Sequence, residues 1–229
     1  MARELVPGVW LLELGLRRPL ASNAYLVARE DVTLVDTGLF VNRPSIRREL
    51  SRAGFGPGDV DRVLLTHYDL DHVGGLRGLL PEFDGTVHMG AADVDIVEGR
   101  TAPPLFHHKG AFHRVARRLF RFPESISLQR VEDGDRIGAF TAYHTPGHNH
   151  GHTVFVHDDG LAFVGDLVWE EDGDLTTPFW LDSYDMRELR RSVRRFAAEV
   201  DDYDLLGMGH GTPLVADGAA AIDALAARL

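Results

Sequence analysis

Residues 66–72 read Thr-His-Tyr-Asp-Leu-Asp-His, a heptad that gathers four possible metal ligands, His67, Asp69, Asp71 and His72, into six residues. An apolar run, Val63 to Leu65, precedes it, and the glycine-rich segment His72-Val-Gly-Gly-Leu follows. The heptad therefore reads as a loop leaving the end of a buried strand and turning into a helix. Strand ends are where α/β proteins place chemistry. Side chains alternate along an extended segment, so His67, Asp69 and Asp71 can face one way while the turn adds His72. Three further places put His or Asp after an apolar run at a glycine turn: Thr145-Pro-Gly-His148-Asn-His-Gly-His152, Phe163-Val-Gly-Asp166 and Met208-Gly-His210-Gly. With no cysteine in the chain, a metal site here is built from imidazole and carboxylate alone.

Taken in order, with Val35-Asp36-Thr37-Gly38 ahead of the heptad, these motifs resemble the signature of the metallo-β-lactamase-fold superfamily: Asp-Thr-Gly, then His-x-His-x-Asp-His, then single His, Asp and His residues. The resemblance runs from about Val9 to Pro213, nearly the whole chain. It implies an α+β fold, a four-layer αββα sandwich, forming one domain over 1–229. It also implies two divalent metal ions, zinc first, with manganese or iron as alternatives. His67, Asp69 and His148 would hold the first ion and Asp71, His72 and His210 the second, with Asp166 bridging them; Asp71 and Asp166 are the candidate catalytic residues. Two such ions can share a hydroxide that attacks a carbonyl or phosphoryl centre. Asp36 and His152 are expected to orient the ligands rather than to bind metal.

One position departs from the family pattern, because Asp69 stands where a second histidine is usual. A carboxylate oxygen reaches about as far from Cβ as the imidazole Nδ1 it replaces, so Asp69 can still serve the first ion. Two divalent ions, three carboxylates and a hydroxide then sum to a formally neutral centre, one charge lower than usual. A more oxygen-rich, less positive centre tilts preference from zinc toward manganese or iron.

The surrounding elements read as two successive halves, each β-rich and then helical. Strands are expected at Val9 to Leu14, Asn23 to Ala28 and Val32 to Val35, with a helix over Pro44 to Ala53. In the second half, Arg136 to Tyr143, Thr153 to Val156, Leu161 to Val164 and Leu205 to Met208 read as strands, and Tyr184 to Val200 and Gly218 to Arg228 as helices. Between them, about 99–123, lies a candidate lid. Phe112, Val115, Ala116, Leu119 and Phe120 recur at helical spacing, with Arg114, Arg117, Arg118 and Arg121 off that stripe. In such a lid His107, His108 and Lys109 would meet an anionic substrate group, and Phe106 and Phe112 would form an apolar wall. Trp169, Phe179 and Trp180 are further candidates for substrate binding. Trp169 stands three residues past Asp166, where lactonases that resemble this chain carry a tyrosine, and an indole cannot relay a proton as a phenol does.

The net charge of −11 argues against a nucleic-acid surface, which needs clustered positive charge. Arginine supplies all but one of the 24 basic residues, and Lys109 is the exception, a bias that by itself points to no function. No apolar stretch in the first residues resembles a signal peptide, so a cytoplasmic protein with a small-molecule substrate and no membrane contact is expected. The leading functional expectation is a dinuclear hydrolase of an ester, thioester or lactone-like carbonyl. Phosphodiester hydrolysis, a mononuclear-iron dioxygenase using His67, His148 and Asp166, and a non-catalytic ligand-binding protein are the alternatives. Glyoxalase II is disfavoured by the short stretch after Pro213, which leaves no room for that family's helical extension.

Overall fold

Side-chain alternation along the strands sorts the apolar residues into three layers, and that sorting dictates the architecture. The computed structural model describes residues 2–15, 21–42, 44–119, 121–123 and 125–229, with the backbone alone for 116–119. The chain opens with β1 (Arg3–Val6), β2 (Val9–Leu14), β3 (Ser22–Ala28) and β4 (Val32–Val35), paired antiparallel in sequence. After α1 (Ile46–Arg52) come β5 (Arg62–Leu65), α2 (Leu70–Val73), β6 (Thr86–Gly90), α3 (Ala91–Val97), α4 (His108–Leu119) and β7 (Ser127–Val131). From β4 to β7 the strands run parallel, completing a seven-stranded sheet in the order β1 to β7.

The second sheet is built from β8 (Arg136–Ile137), β9 (Phe140–His144), β10 (Thr153–His157) and β11 (Leu161–Gly165), with β14 (Leu205–Met208) added parallel to β11. Between β11 and β14 lie a small hairpin, β12 (Trp169–Glu171) and β13 (Asp174–Thr176), and then α5 (Met186–Glu199); α6 (Gly218–Ala226) follows β14. The span Arg136 to Tyr143, expected as one strand, is two: Gly138 takes a φ of 58° and β8 turns back onto β9, pairing Ile137 with Phe140.

Leu12, Leu14, Val63 and Leu65 point outward under α1 and α3, joining Ile46, Leu50, Val94 and Ile96 in one buried cluster. Their neighbours Val9, Leu11 and Leu64 point the other way and meet Phe140, Phe155, Phe163 and Leu205 of the second sheet. Beyond that sheet, Val154, Ala162, Val164 and Leu206 pack under Leu189, Val193 and Phe196 of α5 and Ile222 and Leu225 of α6. Helices, sheet, sheet, helices: the result is the αββα sandwich. Hydrogen bonds stitch the two sheets together at one end, where Asn23 Nδ2 donates to the carbonyls of Met208 (3.0 Å) and Gly211 (2.8 Å) and Tyr25 Oη donates to Met208 (2.8 Å). The candidate ligand loops leave the strands at that same end. None of the described helices is long and apolar enough to cross a membrane.

Candidate metal centre

Every candidate ligand sits just past a strand. His67 follows β5, His148 and His152 lie between β9 and β10, Asp166 follows β11 and His210 follows β14. The loops are fixed by backbone that tolerates no bulk. Gly147 has a φ of 130° and would press a Cβ into the backbone of Leu189 in α5, while a Cβ on Gly209 would collide with Asp166 Oδ1 and His72 Cε1. The loops of the two sheets are also joined directly, with Thr153 N donating to the Thr66 carbonyl at 2.8 Å.

The side chains converge as a ligand set must. Among the described residues, three groups bring one donor atom each to within 4.8 Å of one another: His67, Asp69 and His148; His67, His72 and Asp166; and Asp71, His72 and His210. His148 Nε2 lies 3.1 Å from Asp69 Oδ2, His67 Nε2 3.4 Å from the same oxygen, His210 Nε2 3.3 Å from Asp71 Oδ2 and 3.4 Å from Asp166 Oδ2, and His72 Nε2 3.5 Å from Asp166 Oδ1. Two ligands each about 2.1 Å from one tetrahedral ion stand about 3.4 Å apart, so these spacings fit shared ions. Buried His67 Nε2, His72 Nε2 and Asp166 Oδ1 have no hydrogen-bond partner. Polar atoms buried without partners are costly, and divalent cations would satisfy all three.

The four candidate ligand histidines share one orientation. His67 Nδ1 meets Thr66 Oγ1 at 3.0 Å, His72 Nδ1 meets Asp36 Oδ2 at 2.8 Å, His148 Nδ1 meets Ser183 Oγ at 3.4 Å and His210 Nδ1 meets the Ala21 carbonyl at 2.9 Å. Holding Nδ1 this way turns each Nε2 toward the centre and fixes its direction. Asp36 organises two of these contacts. Its residue takes a φ of 58°, and its carboxylate accepts from Thr66 N and from Thr66 Oγ1, each at 2.8 Å, as well as from His72. His152 acts differently, for its Nε2 accepts the backbone N–H of Asp166 at 3.1 Å while its Nδ1 meets Thr145 Oγ1 at 2.8 Å. Its lone pair is spent holding the backbone of Asp166 in place.

Three groups that sequence reasoning missed complete the support. Asp93, buried on α3, accepts from Tyr68 N and Gly151 N, each at 2.8 Å, and so ties the heptad loop to the loop carrying His148 and His152. His113 Nε2 lies 2.6 Å from Asp69 Oδ1, which also accepts from Asn149 Nδ2 at 3.0 Å. Asp69 Oδ2 meets His148 Nε2 at 3.1 Å and Lys109 Nζ at 2.8 Å. One signal was available: Lys109 and His113 are four residues apart, which on a helix puts both on one face.

That face overturns the expectation for α4. Its inward side is Lys109, Gly110 and His113, all buried, whereas Phe112 and Val115 are 54% and 56% exposed. A buried carboxylate beneath the helix is a stronger pull for two cationic or hydrogen-bonding side chains than apolar contact is for Phe and Val. Phe120 and the side chains of Ala116 and Leu119 lie outside the described residues. Lys109 is thus turned inward on Asp69 rather than outward to a substrate anion. His107 is also occupied, its Nε2 meeting the Tyr184 carbonyl at 3.0 Å.

Electrostatics of the metal-free chain reflect crowded, buried charge. Burial lowers His72, but Asp36, Asp166 and Asp71 outweigh it and carry its pKa up to about 9. Burial likewise opposes, and Asp166 overcomes it, to raise His210 well above the ordinary histidine value. His67 and His152 are held well below it, chiefly by burial, with His72 and His148 respectively adding to the effect. For Asp69 burial raises the pKa, yet Lys109, His67 and His113 hold the carboxyl well below the usual range. Asp166 is held low in the same way by His210 and His72 against its burial.

Above the centre opens a cavity of about 620 Å³. It is lined by the candidate ligands Asp69, Asp71, Asp166 and His210, by the apolar Leu39, Phe40, Leu70, Phe112 and Trp169, and by the acidic Glu170, Glu171 and Asp182. Of the candidate substrate-binding residues, Trp169 lines it, with its ring 5.0 Å from that of His210. His107, His108, Phe179 and Trp180 are not part of this lining; the last two are 57% and 56% exposed, and the His108 ring lies 5.6 Å from that of Trp180.

Comparison with known proteins agrees with this geometry. Among curated relatives, the probable metallo-hydrolase YybB of Bacillus subtilis is 27% identical over 193 residues, covering 81% of this chain and 80% of that protein. Hydroxyacylglutathione hydrolase of Aeromonas salmonicida is 30% identical over 114 residues, 48% of this chain and 34% of the relative, so the chain spans about a third of that enzyme. Ribonuclease TTHA0252 of Thermus thermophilus is 32% identical over 182 residues, 73% of this chain and 40% of the ribonuclease. The similarity to a ribonuclease removes the support that net charge gave for excluding nucleic acid. Among solved structures, the metallo-beta-lactamase family protein TTHA1429 of Thermus thermophilus superposes with a TM-score of 0.73 at 25% identity, over 98% of this chain and 80% of its own. TTHA1623, solved in a di-iron-bound form, superposes with a TM-score of 0.66 at 25% identity over 91% of this chain and 96% of its own. A sequence model of the metallo-beta-lactamase superfamily matches residues 17–210, a span that contains all seven candidate ligands, and the chain belongs to that superfamily.

Proposed function

We propose that this protein is a metal-dependent hydrolase of an ester, thioester or lactone whose acyl portion is bulky and apolar. The observation that carries the substrate class is the cavity, whose lining is largely aliphatic and aromatic and, beyond the candidate ligands, carries Glu170, Glu171 and Asp182 and, among the described residues, no arginine or lysine. A polyanion such as a nucleic-acid backbone meets repulsion there, whereas an uncharged carbonyl compound can bury its apolar part against Phe40, Phe112 and Trp169. The relatives include both a hydroxyacylglutathione hydrolase and a ribonuclease, and the acidic lining favours the carbonyl reaction.

His67, Asp69 and His148, and Asp71, His72 and His210, together with Asp166, would hold divalent metal, which would supply acidified water and Lewis-acid polarisation of a carbonyl. Zinc suits four imidazoles and three carboxylates, and the di-iron form of a structural relative supports iron as an alternative. The chain's own residues do the rest. Asp36 and His152 fix the directions of His72 and Asp166, α4 closes the side of Asp69, and Trp169 beside His210 places an apolar surface where a leaving group would rest. Hydrolysis rates measured on aryl esters of rising acyl length, an acyl thioester and bis(p-nitrophenyl) phosphate test the assignment. Faster turnover of the longer acyl esters is expected, and a preference for the phosphodiester, or cleavage of RNA, would overturn it.

A further inference from the structure

The one lysine of the chain is not on the surface. Its side chain is 3% exposed, and its ammonium lies 2.8 Å from Asp69 Oδ2, 2.9 Å from His148 Nε2 and 2.5 Å from the Asp182 carbonyl. An ammonium has three N–H groups and these are three acceptors, so the cation is fully satisfied where it sits. Two of the three acceptors are donor atoms of the first metal position. An imidazole nitrogen has one lone pair, which can accept a hydrogen bond from Lys109 or bind a metal ion but cannot do both. We propose that Lys109 is a built-in competitor for the first metal position, so that the two positions fill in order, the one at Asp71, His72 and His210 before the one at His67, Asp69 and His148.

Several features agree. Among the described residues no lysine or arginine forms an ion pair with Asp71 or Asp166, so no side-chain ammonium or guanidinium stands in the second position as Lys109 stands in the first. Asp69 does not depend on Lys109 for its place, since His113 at 2.6 Å and Asn149 at 3.0 Å hold Oδ1 and leave Oδ2 directed at the centre when the lysine withdraws. The residue type also matters. A compact ammonium can stand against ligand atoms much as a metal ion does, whereas a planar guanidinium fork cannot direct its N–H groups from a single point. In a chain that uses arginine at its other 23 basic positions, lysine at 109 is what this geometry requires. Asp69 in place of histidine supplies the negative charge that holds the ammonium there.

The inference rests on the metal-centre reading, and the experiment separates the two. Metal-free wild type and Lys109→Met are titrated with zinc by calorimetry, and metal content is counted after equilibration at buffered free zinc. Wild type should bind one equivalent tightly and a second at least about tenfold more weakly, the range over which a ligand's hydrogen-bond partners change metal affinity. Lys109→Met should recover that factor in the second step alone. Wild type carrying isotope-labelled lysine gives one side-chain ammonium signal, which should stay put through the first equivalent and move with the second. Equal stepwise affinities in both proteins, or a lysine signal unmoved while the second equivalent binds, would overturn the competition and leave the metal centre standing. Zinc binding by neither protein would overturn the metal centre itself. Should Lys109→Met not fold, as judged by circular dichroism, the wild-type signal decides.

Discussion

Asp36 concentrates the logic of this site in one carboxylate, since it fixes both Thr66 at the mouth of β5 and the ring of His72. Asp36→Asn keeps a side chain that tolerates the positive φ of 58° but removes the charge and one acceptor. It should weaken zinc binding by roughly 10- to 100-fold, measured by competition with a chromophoric chelator. The same carboxylate helps raise His72 to about 9 in the metal-free chain, which makes apo stability depend on pH. The folded pKa lies above the unfolded value of about 6.5, so the contribution is complete below that value and lost as pH rises through about 9, a loss of a few kcal/mol at most. Urea midpoints of the metal-free protein should therefore fall between neutral pH and pH values above that range, and saturating zinc should flatten the profile because the ion replaces the proton. The candidate ligands could be picked out of the sequence because each sits in a short motif at a strand end. Asp93, Asn149 and His113 were not, since nothing local marks them and only folding brings them to the loops they hold. Lys109 was visible as the odd lysine, but its partner could be found only in three dimensions.

At the scale of elements, α3 and α5 act as clamps on ligand loops. Asp93→Ala should cost about 3 kcal/mol by leaving Tyr68 N and the buried Gly151 N without an acceptor, read from denaturant midpoints. Asn at 93 should rescue little, because its amide offers an acceptor to one N–H and a donor to the other. α5 starts at a cap, Asp185, whose carboxylate accepts from Arg187 N at 2.7 Å and Glu188 N at 3.1 Å. The Tyr184 and Asp185 amides reach back to the carbonyls of His148 and Gly147. Asp185→Ala should destabilise by about 1 kcal/mol and loosen that loop, seen as weaker metal binding along with a lower melting point. Strands such as β2, β4 and β14 could be read to the residue because both faces are buried in alternation or in full. β7 and β1 could not, because they are edge strands with exposed residues and little apolar signal. α4 was legible as a helix and misread as to its inward face, because periodicity shows that a helix has two faces while the charge of what lies beneath decides which one is buried.

For the whole molecule, the notable fact is that neither sheet owns the site. His67, Asp69, Asp71 and His72 leave the seven-stranded sheet, while His148, Asp166 and His210 leave the five-stranded one. Metal bound there would therefore tie the sheets together beside the Asn23 and Tyr25 hydrogen bonds. Zinc at 100 times its dissociation constant should add about 2.7 kcal/mol, a rise in melting temperature of roughly 5–11 °C for a protein of this size, reversed by a chelator. The rarity of lysine also makes the folded chain a substrate with one address. A lysine-specific protease has a single target, the bond after Lys109, and it lies in a helix with the side chain turned inward. Cleavage of the native protein can proceed only when α4 lifts from Asp69, and it leaves two pieces, residues 1–109 and 110–229. When reclosing is faster than cutting, the rate of that nick relative to the rate in the unfolded chain gives the free energy of lifting the helix. Proteolysis thus becomes a gauge of one local motion.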